Sequence, residues 1–150
     1  AGVDQRYHAV AIATLPVGEV SGELLDLYDI TRQSLDAGIR AIRPGVPVAD
    51  IEEESLEPLR RAGLEDAAMM RFGYGIGIAY PPIWLETLQI SRGIDQRMAP
   101  GMAFVLHACV TPPGSGDGVV LGQYFPARLA RRKHHNAERF ADDRCILAAP

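Results

Sequence analysis

Apolar positions recur at helical spacing in some stretches of the chain and run without interruption in others, and the two patterns divide it into elements. Between residues 21 and 42, Leu24, Tyr28, Leu35, Ile39 and Ile42 fall at helical intervals, with Ser21 placed to cap the first turn. That pattern predicts an amphipathic helix. It should end at "RPG" (43–45), because proline cannot continue the hydrogen-bond ladder and glycine accepts left-handed geometry. Residues 48–62 predict a second helix with Val48, Ile51, Leu56 and Leu59 inward. Pro58 lies inside it and would cost about 3 kcal/mol in a regular helix interior, which predicts a kink or an early end.

Continuous apolar runs of strand length make up the rest. Residues 9–17 are nearly all apolar and read as a buried strand ended by Gly18. "GMAFVLHACV" (101–110) is a second buried-strand run, bounded by Pro100 and by "TPPGSGDG", and "GVVLGQYF" (118–125) follows as its antiparallel hairpin partner. "TLQIS" (87–91) is a short strand. One stretch resists both patterns. "RFGYGIGIAYPPIW" (71–84) holds three glycines, two adjacent prolines and the only tryptophan, and is expected to be an irregular loop. Its glycines would let the backbone turn and approach another strand or a ligand closely.

Composition then bounds the class. With 150 residues, 47% of them hydrophobic and 23% charged, the chain is long enough to bury a core. A formal net charge of -4 gives no electrostatic reason to expect nucleic acid or an anionic membrane as partner. No apolar run approaches the roughly 20 residues that span a bilayer, so the expected location is cytoplasmic. Cys109 and Cys145 form no framework and are read as reduced. The chain starts at Ala1 and runs at once into a strand-like segment, as a fragment or a processed product would. Five arginines and a lysine crowd residues 126–150 without an apolar stripe. Residues 124–150 are therefore set apart as a divergent basic tail.

Several residues invite a chemical reading. "GYGIG" (73–77) resembles a phosphate-cradling loop, but it is not G-x-G-x-x-G and has no βαβ context, so nucleotide binding is set aside. His107 and Cys109 stand two apart on a predicted strand and so share one face. They read as a small buried thiol beside a satisfied histidine more readily than as a nucleophile pair, which needs an orienting third group. His134 and His135 are adjacent and diverge on any regular element, which favours a solvated basic face over a metal site. Glu52, Glu53 and Glu54 read as a charge run on an exposed helix face. Trp84 and Glu86 would share a face if extended, forming an aromatic wall with a carboxylate for a small cationic or amide-bearing ligand. The alternative is a tryptophan capping the edge of the core.

Taken together, "RYHAVAIATLPVG", "GIRAIRPGVPVADIE", "RFGYGIGIAYPPIWLE" and "MAPGMAFVLHACV" resemble, in order and spacing over residues 1–123, the catalytic domain of the M24 peptidase family. That family contains methionine aminopeptidase, Xaa-Pro dipeptidase, aminopeptidase P and creatinase. The ectoine hydrolase-like, Xaa-Pro peptidase-like branch carries a similar "GY-small-IG...YPP-x-W" loop. The resemblance implies an α+β pita-bread fold, in which a curved antiparallel sheet with flanking helices holds the site, here an incomplete one. It implies hydrolysis of a C–N bond in a small peptide or amide substrate; a homodimer is expected because an incomplete sheet would leave edges to cover. Two divalent metal ions such as Mn, Co or Zn usually serve, held by two aspartates, a histidine and two glutamates.

Mapped residue by residue, the resemblance puts the second aspartate at Val10 and the first before Ala1. The histidine of the family's "GHGIG" falls at Tyr74, a second histidine at Pro81, one glutamate at His107 and the last at about Gly122. No acidic ligand is matched, so no metal and no other cofactor is expected. His107 is then the candidate general acid or base, as in creatinase, where a histidine rather than a metal moves the proton. His8, Tyr74, Tyr80, Trp84 and Glu86 are the candidate substrate-binding residues. A second reading is a catalytically inactive fragment that binds or dimerises. Ala13 in place of that branch's arginine, the missing amino-terminal part and the changed sequence after Gln123 point that way, and uncovered sheet edges would call for a partner chain.

Overall fold

The computed structural model describes residues 2–79 and 82–125, in the order β1 (Gly2–Asp4), β2 (Tyr7–Ala9), α1 (Gly22–Ala41), α2 (Val48–Arg61), β3 (Gly73–Ile76), β4 (Leu85–Ile90), β5 (Phe104–Val110) and β6 (Val119–Phe125). The basic stretch with Lys133, His134, His135 and Cys145 lies outside the described residues, as do Tyr80 and Pro81.

Helix α1 starts as the sequence predicts, with the Ser21 hydroxyl accepting the Leu24 N–H at 3.2 Å. Its most buried line, however, is Leu27, Thr31, Ser34, Leu35, Gly38 and Ala41, while Leu24, Tyr28, Ile39 and Ile42 flank it half-buried. Small residues take the centre because α2 passes close. Ser34 Oγ donates to the Ser55 carbonyl at 2.6 Å, and Ser55 Oγ donates to Ile51 O at 2.9 Å. A Cβ on Gly38 would run into Ser55 Oγ. In α2, Ile51, Leu56 and Leu59 are fully buried, and each such side chain contributes roughly 1.5–3 kcal/mol by leaving water.

Pro58 does not end α2, which continues to Arg61. Pro58 stands in the last turn, so the helix loses only one ladder bond, and the Pro58 carbonyl still accepts the Ala62 N–H at 3.2 Å. The expectation for Glu52 is also corrected. It is 6% exposed, and its carboxylate accepts the backbone N–H of Arg92, tying α2 to the end of β4. Burial raises its pKa above the ordinary carboxylate value, against the pull of those hydrogen bonds.

The main sheet has the order β4-β3-β5-β6, antiparallel throughout. The β5–β6 hairpin is the predicted one, in register from Phe104↔Phe125 to Val110↔Val119. Stretch 71–84 is the main departure, because its glycine-rich first half is the inner strand β3 and not a loop. Extra side chains would not fit there. A Cβ on Gly73 would come within 2.5 Å of Val105 O, and one on Gly75 within 2.9 Å of Glu86 Cβ. The glycines therefore serve close approach of strand to strand, one of the two roles expected of them.

Both helices pack on one face of this sheet. Leu106 touches the Gly38 site on α1, and Phe104, Leu106, Ala108 and Val110 all belong to the core. Strand alternation and register put Gly73, Gly75, Glu86, Leu88 and Ile90 on that same face. The other face carries Tyr74, Gln89, Val105, His107, Cys109, Val120 and Gly122.

Residues 9–17 are not the buried strand expected. After β2 the chain runs beside β6 through a single bridge, Ile12↔Gly122, with Gly122 N–H donating to Ile12 O at 3.0 Å. The Thr14 hydroxyl then replaces a backbone pairing by accepting from Val120 N at 2.9 Å and donating to Val120 O at 3.1 Å. Val10, Ile12 and Thr14 are half-buried, while Ala9, Ala11, Ala13 and Leu15 are exposed. The run is apolar on both sides, but only one side meets the sheet.

Candidate functional site

The centre of the face turned away from the helices is His107, which is 2% exposed. Its place is fixed by backbone pairing on both sides. Across β5 and β6 it stands opposite Gly122, and its own N–H donates to Phe72 O at 2.7 Å. Gly122 leaves room for it, since a Cβ there would lie 2.9 Å from His107 Cβ and 3.0 Å from Ile12 Cδ1. Tyr74 closes another side, its ring meeting the imidazole edge to face with centroids 5.6 Å apart and planes at 62°.

His107 Nδ1 is buried and has no hydrogen-bond partner among the described residues. The satisfied histidine of the sequence reading is therefore corrected, and so is its buried neighbour, since Cys109 is a free thiol that is only partly buried. Burial, and secondarily the charge of Arg71, lowers the His107 pKa from 6.5 to about 4. The imidazole is uncharged at neutral pH.

The other candidates are placed differently. His8 is buried and binds the end of β3, its backbone N–H and its ring Nδ1 reaching the Gly77 carbonyl at 2.8 and 3.0 Å. Glu86 lies on the opposite face of the sheet from Tyr74 and His107. Its Oε1 accepts the N–H groups of Ile78 and Ala79, each at 2.9 Å, so this carboxylate holds the turn after β3. It also borders a cleft of about 320 Å³ lined by Tyr7, Gly75, Gly77, Leu88, Gln96 and Met102 among others. Trp84 does not cap the core, for 49% of its surface is exposed. Tyr80 lies outside the described residues.

Arg71 was not singled out by sequence reasoning. A local irregularity places it. Met69 N–H donates to Cys109 O and Phe72 O accepts from His107 N, so two residues on this side, Met70 and Arg71, oppose one, Ala108, on β5. Such a one-residue excess is a β-bulge, a device that re-aims side chains. Its only trace in the sequence is that "MMR" precedes the glycine-rich strand.

The sequence profile of metallopeptidase family M24 matches residues 1–125. The chain belongs to this family. Among M24 proteins it is similar to the probable dipeptidase PepE of Mycobacterium tuberculosis, 31% identical over 126 residues that make up 84% of this chain and 29% of PepE. Ectoine hydrolase of Halomonas elongata is 33% identical over 105 residues, 69% of this chain and 26% of that protein. The Xaa-Pro dipeptidase structure from Bacillus anthracis superposes with a TM-score of 0.74 at 20% identity, over 87% of this chain and 37% of that one. The chain thus spans roughly a third or less of these M24 proteins, and over that part it has their α+β pita-bread fold. Among the described residues, no helix is long and apolar enough to cross a membrane.

Proposed function

We propose that the chain is part of a hydrolase that cleaves a C–N bond, peptide or amide, in a small substrate, in the manner of a Xaa-Pro dipeptidase or of ectoine hydrolase. One observation carries this reading beyond family membership. Tyr74 and His107, on two different strands, occupy positions that the resemblance gives to a metal-binding histidine and glutamate, and their rings meet on the face turned away from the helices.

The residues at that place do not fit a pair of divalent metal ions. Val10, Tyr74, His107 and Gly122 offer one imidazole and one phenol where hard dications require carboxylates. The positive charge of Arg71 also acts on the same imidazole. The proposed hydrolysis therefore runs without metal. Neutral His107 takes a proton from the water that attacks the substrate carbonyl, and returns it to the nitrogen as the C–N bond breaks. The Tyr74 hydroxyl donates to the carbonyl oxygen as negative charge develops there. An imidazole with a pKa of about 4 is a weak base, so turnover is slow. A cytoplasmic location accords with the free thiol of Cys109.

The test is to incubate the purified protein with Xaa-Pro dipeptides, creatine and ectoine, each with manganese and with EDTA. Turnover that EDTA leaves intact and that His107→Ala abolishes supports the reading. Turnover that requires manganese overturns the metal-free chemistry.

A second reading is a binding or dimerisation module, favoured by the exposure of Leu15 (61%) and Val17 (96%) beyond the bridge to β6. A homodimer covering that segment, with no turnover of any substrate, would establish it in place of the hydrolase.

A further inference from the structure

Glu86 lies on the opposite face of the sheet from Tyr74 and His107, and it borders a cleft of about 320 Å³. Its carboxylate is held in place. Oε1 accepts the N–H groups of Ile78 and Ala79, each at 2.9 Å, and a Cβ on Gly77 would lie 2.9 Å from the same oxygen. These bonds use only one of the two carboxylate oxygens. The carboxylates in ion pairs among the described residues are those of Asp29, Glu52, Glu53, Glu57 and Glu65, and Glu86 is not one of them. A half-buried negative charge thus stands at the cleft, and no described lining residue brings a cation to it.

The remaining walls complement that charge. Among the described lining residues Glu86 is the only one with a charge, so none of them would pair with a ligand's carboxylate or phosphate. Leu88, Met102 and Ala103 supply apolar surface, and Tyr7, 65% exposed, supplies an aromatic ring. An ammonium group is attracted both to a carboxylate and to the face of such a ring. Thr87 and Gln96 add an uncharged hydroxyl and amide oxygen that can accept its remaining N–H groups. At about 320 Å³ the cleft falls at the small end of ligand sites, which suits a body of a single ring or a short branched chain. Because two N–H groups already fix Glu86, little side-chain freedom is lost when a cation binds.

We propose that this cleft is a second binding site, for a small organic ammonium ion with an apolar body and no acidic group, with Glu86 as counter-ion and Tyr7 as aromatic wall. A zwitterionic amino acid is disfavoured, since its carboxylate would meet Glu86 and no cation. The site is separate from the hydrolysis assigned to Tyr74 and His107 and does not rest on it.

The experiment titrates the full chain, 15N-labelled, with 2-phenylethylamine, 2-phenylethanol and phenylalanine, which share a body and differ in charge. Amide shifts at Gly75, Gly77, Ile78 and Leu88 locate the binding and give the affinities. The amine is expected to bind at least fivefold more tightly than the alcohol or phenylalanine, and to lose that advantage as salt is raised to about 1 M. Glu86→Gln keeps an oxygen acceptor for the turn and removes the charge, so it should bind amine and alcohol alike. Tyr7→Leu should weaken the amine about two- to fivefold and the alcohol less. Equal binding of amine and alcohol by the wild type, or an amine preference that survives in Glu86→Gln, overturns the proposal. So does phenylalanine binding as tightly as the amine, or an absence of shifts at the cleft amides with all three probes. Shifts centred on His107 and Gly122 would place the amine on the wrong face and overturn it as well. If Glu86→Gln fails to fold, the wild-type preference, its salt dependence and Tyr7→Leu decide the matter.

Discussion

Gly38 of α1 lies directly against Ser55 of α2, so closely that a single methyl group on Gly38 would collide with the Ser55 hydroxyl and come within 3.0 Å of Leu106. Gly38→Ala is therefore expected to destabilise the fold by about 1–3 kcal/mol, the usual cost of overpacking a filled core. This holds despite alanine's better helix propensity. Adding Ser55→Ala should recover only part of the loss, because Leu106 stays in place. Urea denaturation of the two variants measures both effects.

His107 should make stability depend on pH. Its pKa is 6.5 in an exposed chain and about 4 in the fold, so between these values the unfolded chain binds more protons. Its contribution is thus complete above about pH 6.5 and is lost as pH falls through about 4, roughly 3 kcal/mol in all. Glu52, whose pKa is raised, works in the opposite sense, binding its proton more readily in the fold. Comparing wild type with His107→Asn cancels Glu52. The difference in unfolding free energy between the two should slope upward from pH 4 to 6.5 and be flat above. A flat difference throughout would contradict the buried neutral imidazole.

Glu86 is expected to matter for the turn after β3 rather than for the chemistry around His107. Glu86→Ala removes the acceptor of two N–H groups, worth about 1–3 kcal/mol when the acceptor is charged. Hydrogen exchange should accelerate at Ile78 and Ala79, with little change at Leu106 or Ala108 in the paired centre of the sheet. Glu86→Gln keeps an oxygen acceptor and should show a smaller increase.

Thr14 fastens residues 9–17 to β6 by donating to and accepting from Val120. Thr14→Val keeps the shape and leaves the Val120 N–H and C=O without that partner, at a cost of about 1 kcal/mol. Limited proteolysis should then cut near exposed Leu15 and Val17 sooner than in wild type, while α1 stays protected.

Where local pattern and tertiary setting agree, the sequence was readable. The Ser21 cap, the α1 period and the β5–β6 hairpin are each decided within a few neighbouring residues. Gly73, Gly75 and Gly77 hid β3, because a strand without side chains shows no alternation and forms only where Ile90, Leu88 and Val105 come close enough to require bare backbone. Pro58 was read from its average cost in a helix, whereas its place in the last turn sets the actual one. The contact of Tyr74 with His107 was foreshadowed through the family resemblance and not through periodicity. Arg71 escaped notice because a bulge between residues far apart in sequence places it.

On β3, Gly73 and Gly75 face the helices and Tyr74 faces the opposite side. The packed half of that strand is intolerant of any side chain, yet the residue between the two glycines can change without touching the core. In the proposed site, chemistry and folding are thus carried by alternate residues of one four-residue segment. The side chain at position 74 can thus be exchanged with the scaffold undisturbed, so this architecture lets what the strand presents vary far more easily than how it stands.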